Sequence, residues 1–253
     1  MTDLTDKFVS SIAQALNAAE VPCVLWGHCL LRVHGVPTIV ASVDFVVPDD
    51  SLEIAAKTLT NTKLLSPCPD LSTCLASSPD RYTPPAAAHL HIDSSEVTVG
   101  IYTQSETLWF LPRLDISFPP DTQHKKLELP QQFCLASDRT ILPPWRPGRG
   151  SGAFQSGYHP ILVPKAHVLL EAFLRLYARD LGKKVGSFGM AMISYMEEYV
   201  DDDGLLDSDQ LPEPLNTFYR DLRAGRMKSV GQWGHDLQKA LGVPSEDCSS
   251  GRY

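Results

Sequence analysis

Apolar and polar positions alternate with two different periods along the first sixty residues. Phe8, Ile12 and Leu16 recur at helical spacing near the N terminus, and Val21 and Pro22 end that pattern. Short apolar runs then alternate with turn residues, which is typical of strands joined by tight connections. The pattern predicts five elements here: a helix over residues 6–19, a strand over 23–26, a short helix over 29–34, a strand over 41–47 and a helix over 52–59.

The middle of the chain contains a hairpin pattern between two irregular stretches. Residues 89–92 and 97–102 flank the turn residues 93–96, which predicts a β-hairpin. Residues 60–86 are rich in Ser, Pro, Asp and Thr, and residues 103–160 include a run of Pro, Arg and Gly. Both stretches are predicted as irregular connections. A connection as long as the second one is more often functional than idle.

From Pro164 onwards, apolar residues return to helical spacing. The pattern predicts four helices, over residues 164–179, 185–200, 214–224 and 230–241. Pro164 is placed at the first helical position of the first of them. The order of elements predicts an α+β fold, with a mixed sheet flanked by helices over residues 1–160. A helical lobe that packs on this core is predicted over residues 161–253.

Length, composition and charge fit a globular protein and weigh against two classes of partner. The chain has 253 residues, of which 43% are hydrophobic and 21% charged, and its formal net charge is −8. Affinity for nucleic acid comes mainly from Lys and Arg, so an acidic chain predicts no nucleic-acid partner. No apolar run approaches the roughly 20 residues of a membrane span, and the first residues lack a secretory signal. These features predict a cytoplasmic protein with no membrane partner.

The spacing of the cysteines and histidines bears on whether the chain has a metal site. The six cysteines are Cys23, Cys29, Cys68, Cys74, Cys134 and Cys248. They form no CxxC pair and no Cys/His spacing typical of a zinc site, so we expect reduced thiols. His89 and His91 are similar to a metal-ligand pair. Because no third ligand is evident, hydrogen-bonded histidines are the preferred interpretation.

Residues 25–38, followed by residues 42–47, resemble the opening of the nucleotidyltransferase superfamily of the DNA polymerase beta type. In that superfamily a strand ends in a Gly-Gly or Gly-Ser turn, a helix follows, and the next strand carries two aspartates one residue apart. Alternate strand residues share a face, so both carboxylates face the same magnesium ions, which stabilise charge on the nucleotide phosphates. The glycines let the backbone approach the phosphates at a helix N-terminus.

Two positions match this pattern and two depart from it. Gly27 matches the first glycine of the turn, and Asp44 matches the second aspartate. His28 stands where the second Gly or Ser belongs, and Ser42, a poor ligand for Mg²⁺, stands where the first aspartate belongs. For the third carboxylate, which comes from a later strand, Asp93 is the acidic candidate. Asp44 is therefore either a surviving metal ligand or an acid hydrogen-bonded to the Gly27 turn.

Ten residues are candidates for the functional site. The candidate catalytic residues are His28, Ser42, Asp44 and His91, and the candidate substrate-binding residues are Trp26, Gly27, Tyr102, Trp109, Arg146 and Arg149. The two arginines lie among prolines and glycines, where an anion clamp and a solvated loop are both compatible with the pattern. No residue is predicted to bind a metal. No cofactor is expected, except Mg²⁺ if the chain is a nucleotidyltransferase.

The sequence also resembles small proteins of filamentous fungi that have this nucleotidyltransferase-like core. Some of these act in specialised metabolism as cyclases or pericyclases, including the norbornene-forming Diels–Alderase type. The resemblance implies a small-molecule enzyme, namely a metal-independent cyclase or isomerase of terpenoid-like metabolism that holds its substrate in a near-attack conformation. Two alternatives stay open: a divergent Mg²⁺-dependent nucleotidyltransferase, and a non-catalytic protein that binds a small molecule.

Overall fold

The structure is a computed structural model that describes residues 4–93, 95–119, 128–227 and 229–244. The chain divides into two compact units, the first formed by Met1–Arg81 and Pro85–Lys165, and the second by Tyr82–Pro84 and Ala166–Tyr253. Ser94 of the predicted hairpin turn and Cys248 lie outside the described residues. Among the described residues, no helix combines the length and the apolar character needed to span a bilayer.

A seven-stranded mixed sheet forms the centre of the first unit. Its strands are β1 (Val24–Trp26), β2 (Ser42–Val47), β3 (Leu65–Pro67), β4 (Ala88–Ile92), β5 (Thr98–Thr103), β6 (Phe133–Leu135) and β7 (Leu162–Pro164). They lie in the order β3-β4-β5-β2-β1-β7-β6. Strand β2 runs parallel to β5 and β1 runs parallel to β7, while the other neighbouring strands are antiparallel. β2, near the middle of the sheet, has its last five residues buried.

Four helices accompany this sheet: α1 (Asp6–Ala18), α2 (Gly27–Val33), α3 (Leu52–Thr60) and the short α4 (Gln104–Thr107). The hydroxyl of Thr5 caps α1 by accepting a hydrogen bond of 3.3 Å from the backbone N–H of Phe8. The apolar stripe of α1, which includes Ile12 and Leu16, is buried. Helix α3 packs against β3, β4 and β5. The helices thus bury the apolar stripes that the sequence pattern predicted.

The second unit is helical. Its helices are α5 (Ala166–Arg179), α6 (Gly186–Met196), α7 (Leu215–Arg223) and α8 (Val230–Ala240). Helix α5 packs against α6 and α8, and the ring of Tyr177 on α5 stacks on that of Trp233 on α8, with 5.7 Å between centroids. The hydroxyl of Tyr219 on α7 donates a 2.8 Å hydrogen bond to Asp201. The four predicted helices are therefore present, with small changes at their ends.

The predicted α+β class is confirmed, and three details of the prediction are corrected. Helix α2 begins at Gly27 rather than at residue 29, because the turn into the helix occurs at Gly27 itself, whose φ is +65°. Pro164 ends β7 instead of starting α5, and its carbonyl oxygen lies 3.0 Å from Nε2 of His34. The two stretches predicted as irregular contain β3, α4 and β6.

Candidate functional site

Strand pairing places several of the candidate residues on one face of the sheet. Asp44 on β2 pairs with Gly100 on β5. Two residues nearer the start of β2, Ser42 pairs with Thr98, and Thr98 pairs in turn with His91 on β4. Directly paired residues of neighbouring strands project to the same face of a sheet. Ser42, Asp44 and His91 therefore share a face of the sheet.

The carboxyl group of Asp44 lies between two glycines. A Cβ atom added at Gly27 would lie 2.5 Å from Oδ2 of Asp44, and one added at Gly100 would overlap Oδ1. The hydroxyl of Ser42 donates a hydrogen bond of 2.8 Å to Oδ2. As a result, Asp44 is only 4% exposed. The second interpretation was an acid hydrogen-bonded to the Gly27 turn. In the structure Asp44 packs against this turn and accepts a hydrogen bond from Ser42.

Burial also changes the protonation of this face. Burial raises the pKa of Asp44 from 3.8 to about 6, while the hydrogen bond from Ser42 and the charge of Arg81 act in the opposite direction. Burial, together with the nearby Asp44 carboxyl, also raises the pKa of the Tyr102 hydroxyl. Asp44 therefore gains and loses a proton close to neutral pH. Tyr102 stays a neutral hydroxyl over the same range.

A cavity of about 420 Å³ opens beside Ser42. The volume falls within the range of roughly 300–1,000 Å³ that is typical of small-molecule sites. Its apolar walls come from Ala41, Pro69, Leu75 and Ala76. Its polar and charged lining comes from Ser42, Asp70, Thr73, Cys74, Arg81, His91, Glu96 and Thr98.

Arg81 is a functional candidate that the sequence analysis did not identify. Its Nη1 donates a 2.5 Å hydrogen bond to the backbone carbonyl of Ala76, which holds the guanidinium at the cavity wall. Burial, and then the positive charge of Arg81, lower the pKa of His28. Arg81 lies within the Ser- and Pro-rich connection of residues 60–86, which has no hydrophobic periodicity, so no pattern in the sequence marks it. It is the arginine that lines this cavity.

The ten predicted site residues fall into four groups. Ser42 and His91 line the cavity. A second group surrounds the Asp44 carboxyl group and consists of Asp44 itself, Trp26, Gly27 and Tyr102. His28, in the first turn of α2, has its Nδ1 atom 2.8 Å from the hydroxyl oxygen of Thr38. Trp109, Arg146 and Arg149 are not among the residues that line this cavity.

These last three residues belong to other surfaces of the first unit. The loop that carries Arg146 and Arg149 packs on the end of α2, where the backbone N–H of Gly150 donates a 2.7 Å hydrogen bond to the carbonyl of Gly35. Trp109 follows α4 and is 38% exposed. Their predicted role in substrate binding stays a prediction.

Two cysteines and two histidines converge at the edge of the cavity. In the described part of the chain, Cys68, Cys74, His89 and His91 form the group of side chains close enough together to hold a metal ion, with their ligand atoms all within 4.8 Å of one another. Cys74 and His91 also line the cavity. No third ligand for the two histidines is evident from the sequence pattern. The fold supplies two, from a connection predicted as irregular.

Comparison with known proteins gives only distant structural similarities. No family model matches the chain, and no curated protein matches it. One solved structure that it resembles is an antigenic nucleotidyltransferase-like protein from Paracoccidioides brasiliensis, with 13% identity over 93% of this chain and 91% of that one, and a TM-score of 0.41. Another is the antibiotic-resistance factor ANT(2'')-Ia, with 12% identity, coverage of 88% and 96%, and a TM-score of 0.34.

A likeness at this level transfers neither a site nor an activity. What the structure shows is a mixed sheet with flanking helices. Within it, Asp44 alone represents the aspartate pair of the superfamily pattern, because Ser42 occupies the other position.

Proposed function

We propose that this chain is an enzyme that acts on a small molecule in the cavity beside Ser42, and that its reaction is a cyclisation or isomerisation rather than nucleotidyl transfer. The observation that carries this proposal is the enclosure of Asp44. Its carboxyl group accepts a hydrogen bond from the Ser42 hydroxyl and lies against Gly27 and Gly100. A carboxylate closed in on these sides is poorly placed to bind the magnesium ions of a nucleotide complex.

The rest of the donor set argues in the same direction. Two-metal phosphoryl chemistry needs several carboxylates around the same ions. Ser42 offers a neutral hydroxyl, and β5 presents Thr98 and Gly100 beside β2. Asp93 is exposed at the end of β4 and accepts a 2.7 Å hydrogen bond from Ser66. The chemistry of these side chains therefore fits a hard divalent cation poorly.

Two properties of the cavity support a cyclisation. Its walls include Ala41, Pro69 and Leu75, which can hold an apolar substrate in a near-attack conformation. Arginine has five N–H donors, and the bond from Arg81 to Ala76 uses one of them. A donor directed at a substrate carbonyl stabilises the charge that develops in the transition state. The Thr98 hydroxyl is a second polar group in the cavity.

A cycloaddition of the Diels–Alder type in terpenoid-like specialised metabolism, which the sequence resemblance implies, is the specific form of this proposal. When the diene and the alkene lie in one molecule, such a reaction forms its new bonds within the substrate and releases nothing, so product and substrate have the same mass. This property separates it from nucleotidyl transfer, which adds a nucleotide to the acceptor and releases pyrophosphate.

Thermal-shift titration tests the proposal. We expect ATP, CTP, GTP and UTP to leave the melting temperature unchanged in the presence of Mg²⁺ or Mn²⁺. We expect some members of a library of apolar carbonyl compounds to raise it, and those compounds to give a product of unchanged mass. The Arg81→Met variant should lose this stabilisation. Arg113→Met is the matched control, because Arg113 is exposed and paired with Asp50.

The opposite result is equally clear. A rise in melting temperature that requires both a triphosphate and a divalent metal, and that disappears in Asp44→Ala, would overturn the proposed function in favour of a nucleotidyltransferase. Binding without turnover of any bound compound would favour the non-catalytic alternative.

A further inference from the structure

Strand β4 directs two imidazole rings to one place. His89 and His91 are two residues apart on the strand, so their side chains share a face. Both side chains are partly buried, and their ring centroids lie 5.4 Å apart. A structural zinc site has four ligands, so two imidazoles from one strand need further ligands from elsewhere in the chain.

The connection after β3 supplies the further ligands. Cys68 and Cys74 are free thiols in this connection, and both are partly buried. The turn between them is ordered by Asp70, whose carboxylate accepts hydrogen bonds from the backbone N–H and the hydroxyl of Ser72, at 2.9 and 2.7 Å. The backbone N–H of Cys74 donates a 3.1 Å hydrogen bond to the carbonyl of Asp70. This turn brings both sulfur atoms towards β4.

Two distances within the group match those between ligand atoms of a tetrahedral zinc site. Sγ of Cys74 lies 3.4 Å from Nε2 of His89 and 3.5 Å from Nε2 of His91. Zinc bonds to nitrogen and sulfur of about 2.0 to 2.3 Å place the ligand atoms of a tetrahedron about 3.3 to 3.8 Å apart. The four ligand atoms lie within 4.8 Å of one another. Small side-chain rotations therefore suffice to close the group around one ion.

We propose that Cys68, Cys74, His89 and His91 bind one zinc ion as a closed, four-coordinate structural site. On binding, each thiol loses its proton to solvent and binds as a thiolate, while the histidines bind through neutral imidazole nitrogens. Two sulfur and two nitrogen ligands select zinc over the hard cations magnesium and calcium, which prefer oxygen. This site rests on residues other than those that carry the proposed reaction.

A zinc ion here would hold one wall of the cavity in place. Pro69, Thr73 and Cys74 belong to the turn and line the cavity, and His91 lines it from the strand. With all four coordination positions filled by protein, the ion is structural, and His91 is a metal ligand instead of a catalytic group. Loss of zinc should therefore loosen the wall formed by residues 68–76.

Metal analysis of the full-length protein tests this inference. The protein is purified without an oligohistidine tag and under reducing conditions, and elemental analysis should find one zinc ion per chain. Replacement of zinc by Co²⁺ should give the intense visible bands of tetrahedral cobalt together with a thiolate charge-transfer band in the near ultraviolet. The spectrum of the wild-type protein reports on the ligands directly, so it does not depend on whether any variant folds.

Variants identify the ligands. Cys68→Ser and His91→Asn should each bind zinc at least tenfold more weakly than the wild type. Cys134→Ala and His235→Asn should keep full zinc content, because Cys134 lies on β6 and His235 is exposed on α8. A protein that binds no zinc after reduction and reconstitution would overturn the inference. So would a cobalt spectrum without thiolate charge transfer, or a Cys68–Cys74 disulfide that persists in reducing buffer.

Discussion

The hydroxyl of Ser42 donates a hydrogen bond of 2.8 Å to the carboxyl group of Asp44, two residues further along β2. In the superfamily pattern both positions carry aspartates that face the same metal ions. Here one position is a neutral donor and the other is its acceptor, so the two side chains interact with each other. This relationship explains how a carboxyl group is tolerated at 4% exposure.

The close contact between Asp44 and Gly100 predicts a strong effect of adding a methyl group. Gly100→Ala should lower the free energy of unfolding by about 1–3 kcal/mol, because the new Cβ would overlap Oδ1 of Asp44. The loss should be much smaller when Asp44→Ala is also present, since the overlapping atom is then absent. Urea denaturation of the two single variants and the double variant measures the coupling.

Gly231→Ala is the control for this cycle. A Cβ at Gly231, on helix α8, would meet no atom within 4 Å, so this change should be neutral or stabilise by up to about 1 kcal/mol. If Gly100→Ala costs the same with Asp44 as with Ala at position 44, the described packing of the carboxyl is wrong.

The pKa of Asp44 predicts a dependence of stability on pH. The folded state keeps the proton until about pH 6, whereas the unfolded chain loses it near 3.8. Between these values the folded state binds more protons, so the free energy of unfolding falls as the pH rises. The pKa difference corresponds to about 3 kcal/mol, lost progressively between about pH 4 and pH 6.

Asp44→Asn removes this titration and isolates it from that of other groups. The difference in unfolding free energy between variant and wild type should move in favour of the variant as the pH rises from about 4 to 6, and then stay level. Urea denaturation at a series of pH values gives this difference. A constant difference across that range would show that Asp44 does not have a raised pKa in the folded protein.

The charge of Arg81 predicts a change at His28. Burial and Arg81 both lower the pKa of His28, so Arg81→Gln should raise that pKa by removing the second cause. The ring protons of His28 report its titration in an NMR experiment. Arg113→Gln, at the exposed pair with Asp50, should leave it unchanged. If His28 titrates identically in the Arg81 variant and the wild type, Arg81 does not lie close enough to His28 to lower its pKa.

Much of the central fold is predictable because its signals are local. The glycine at position 27, the alternation in β2 and the hairpin of β4 and β5 are each encoded within a few residues, and the structure contains all of them. Strands β3, β6 and β7 are each three residues long. Strand β3, Leu65–Pro67, ends in a proline, and two of its three positions are exposed. Their order comes from pairing with distant partners, which no local pattern contains.

The site was less predictable for the same reason. Cys68 and Cys74 lie in a polar connection well before His89, and only the pairing of β3 with β4 brings that connection beside the histidines. The H-x-H spacing of His89 and His91 fits a strand, whereas the familiar zinc spacings place histidines on helices. Arg81 lies in the same connection, so its place in the cavity also depends on tertiary structure.

The most direct test of the central claim follows the Asp44 carboxyl carbon by NMR while Mn²⁺ and ATP are added. An ion bound by Asp44 would broaden this signal beyond detection, because Mn²⁺ is paramagnetic. We predict a signal that titrates with a midpoint near 6 and keeps its line width when Mn²⁺ and ATP are present. Selective broadening of the Asp44 signal that requires both Mn²⁺ and ATP would contradict the account and identify Asp44 as a metal ligand.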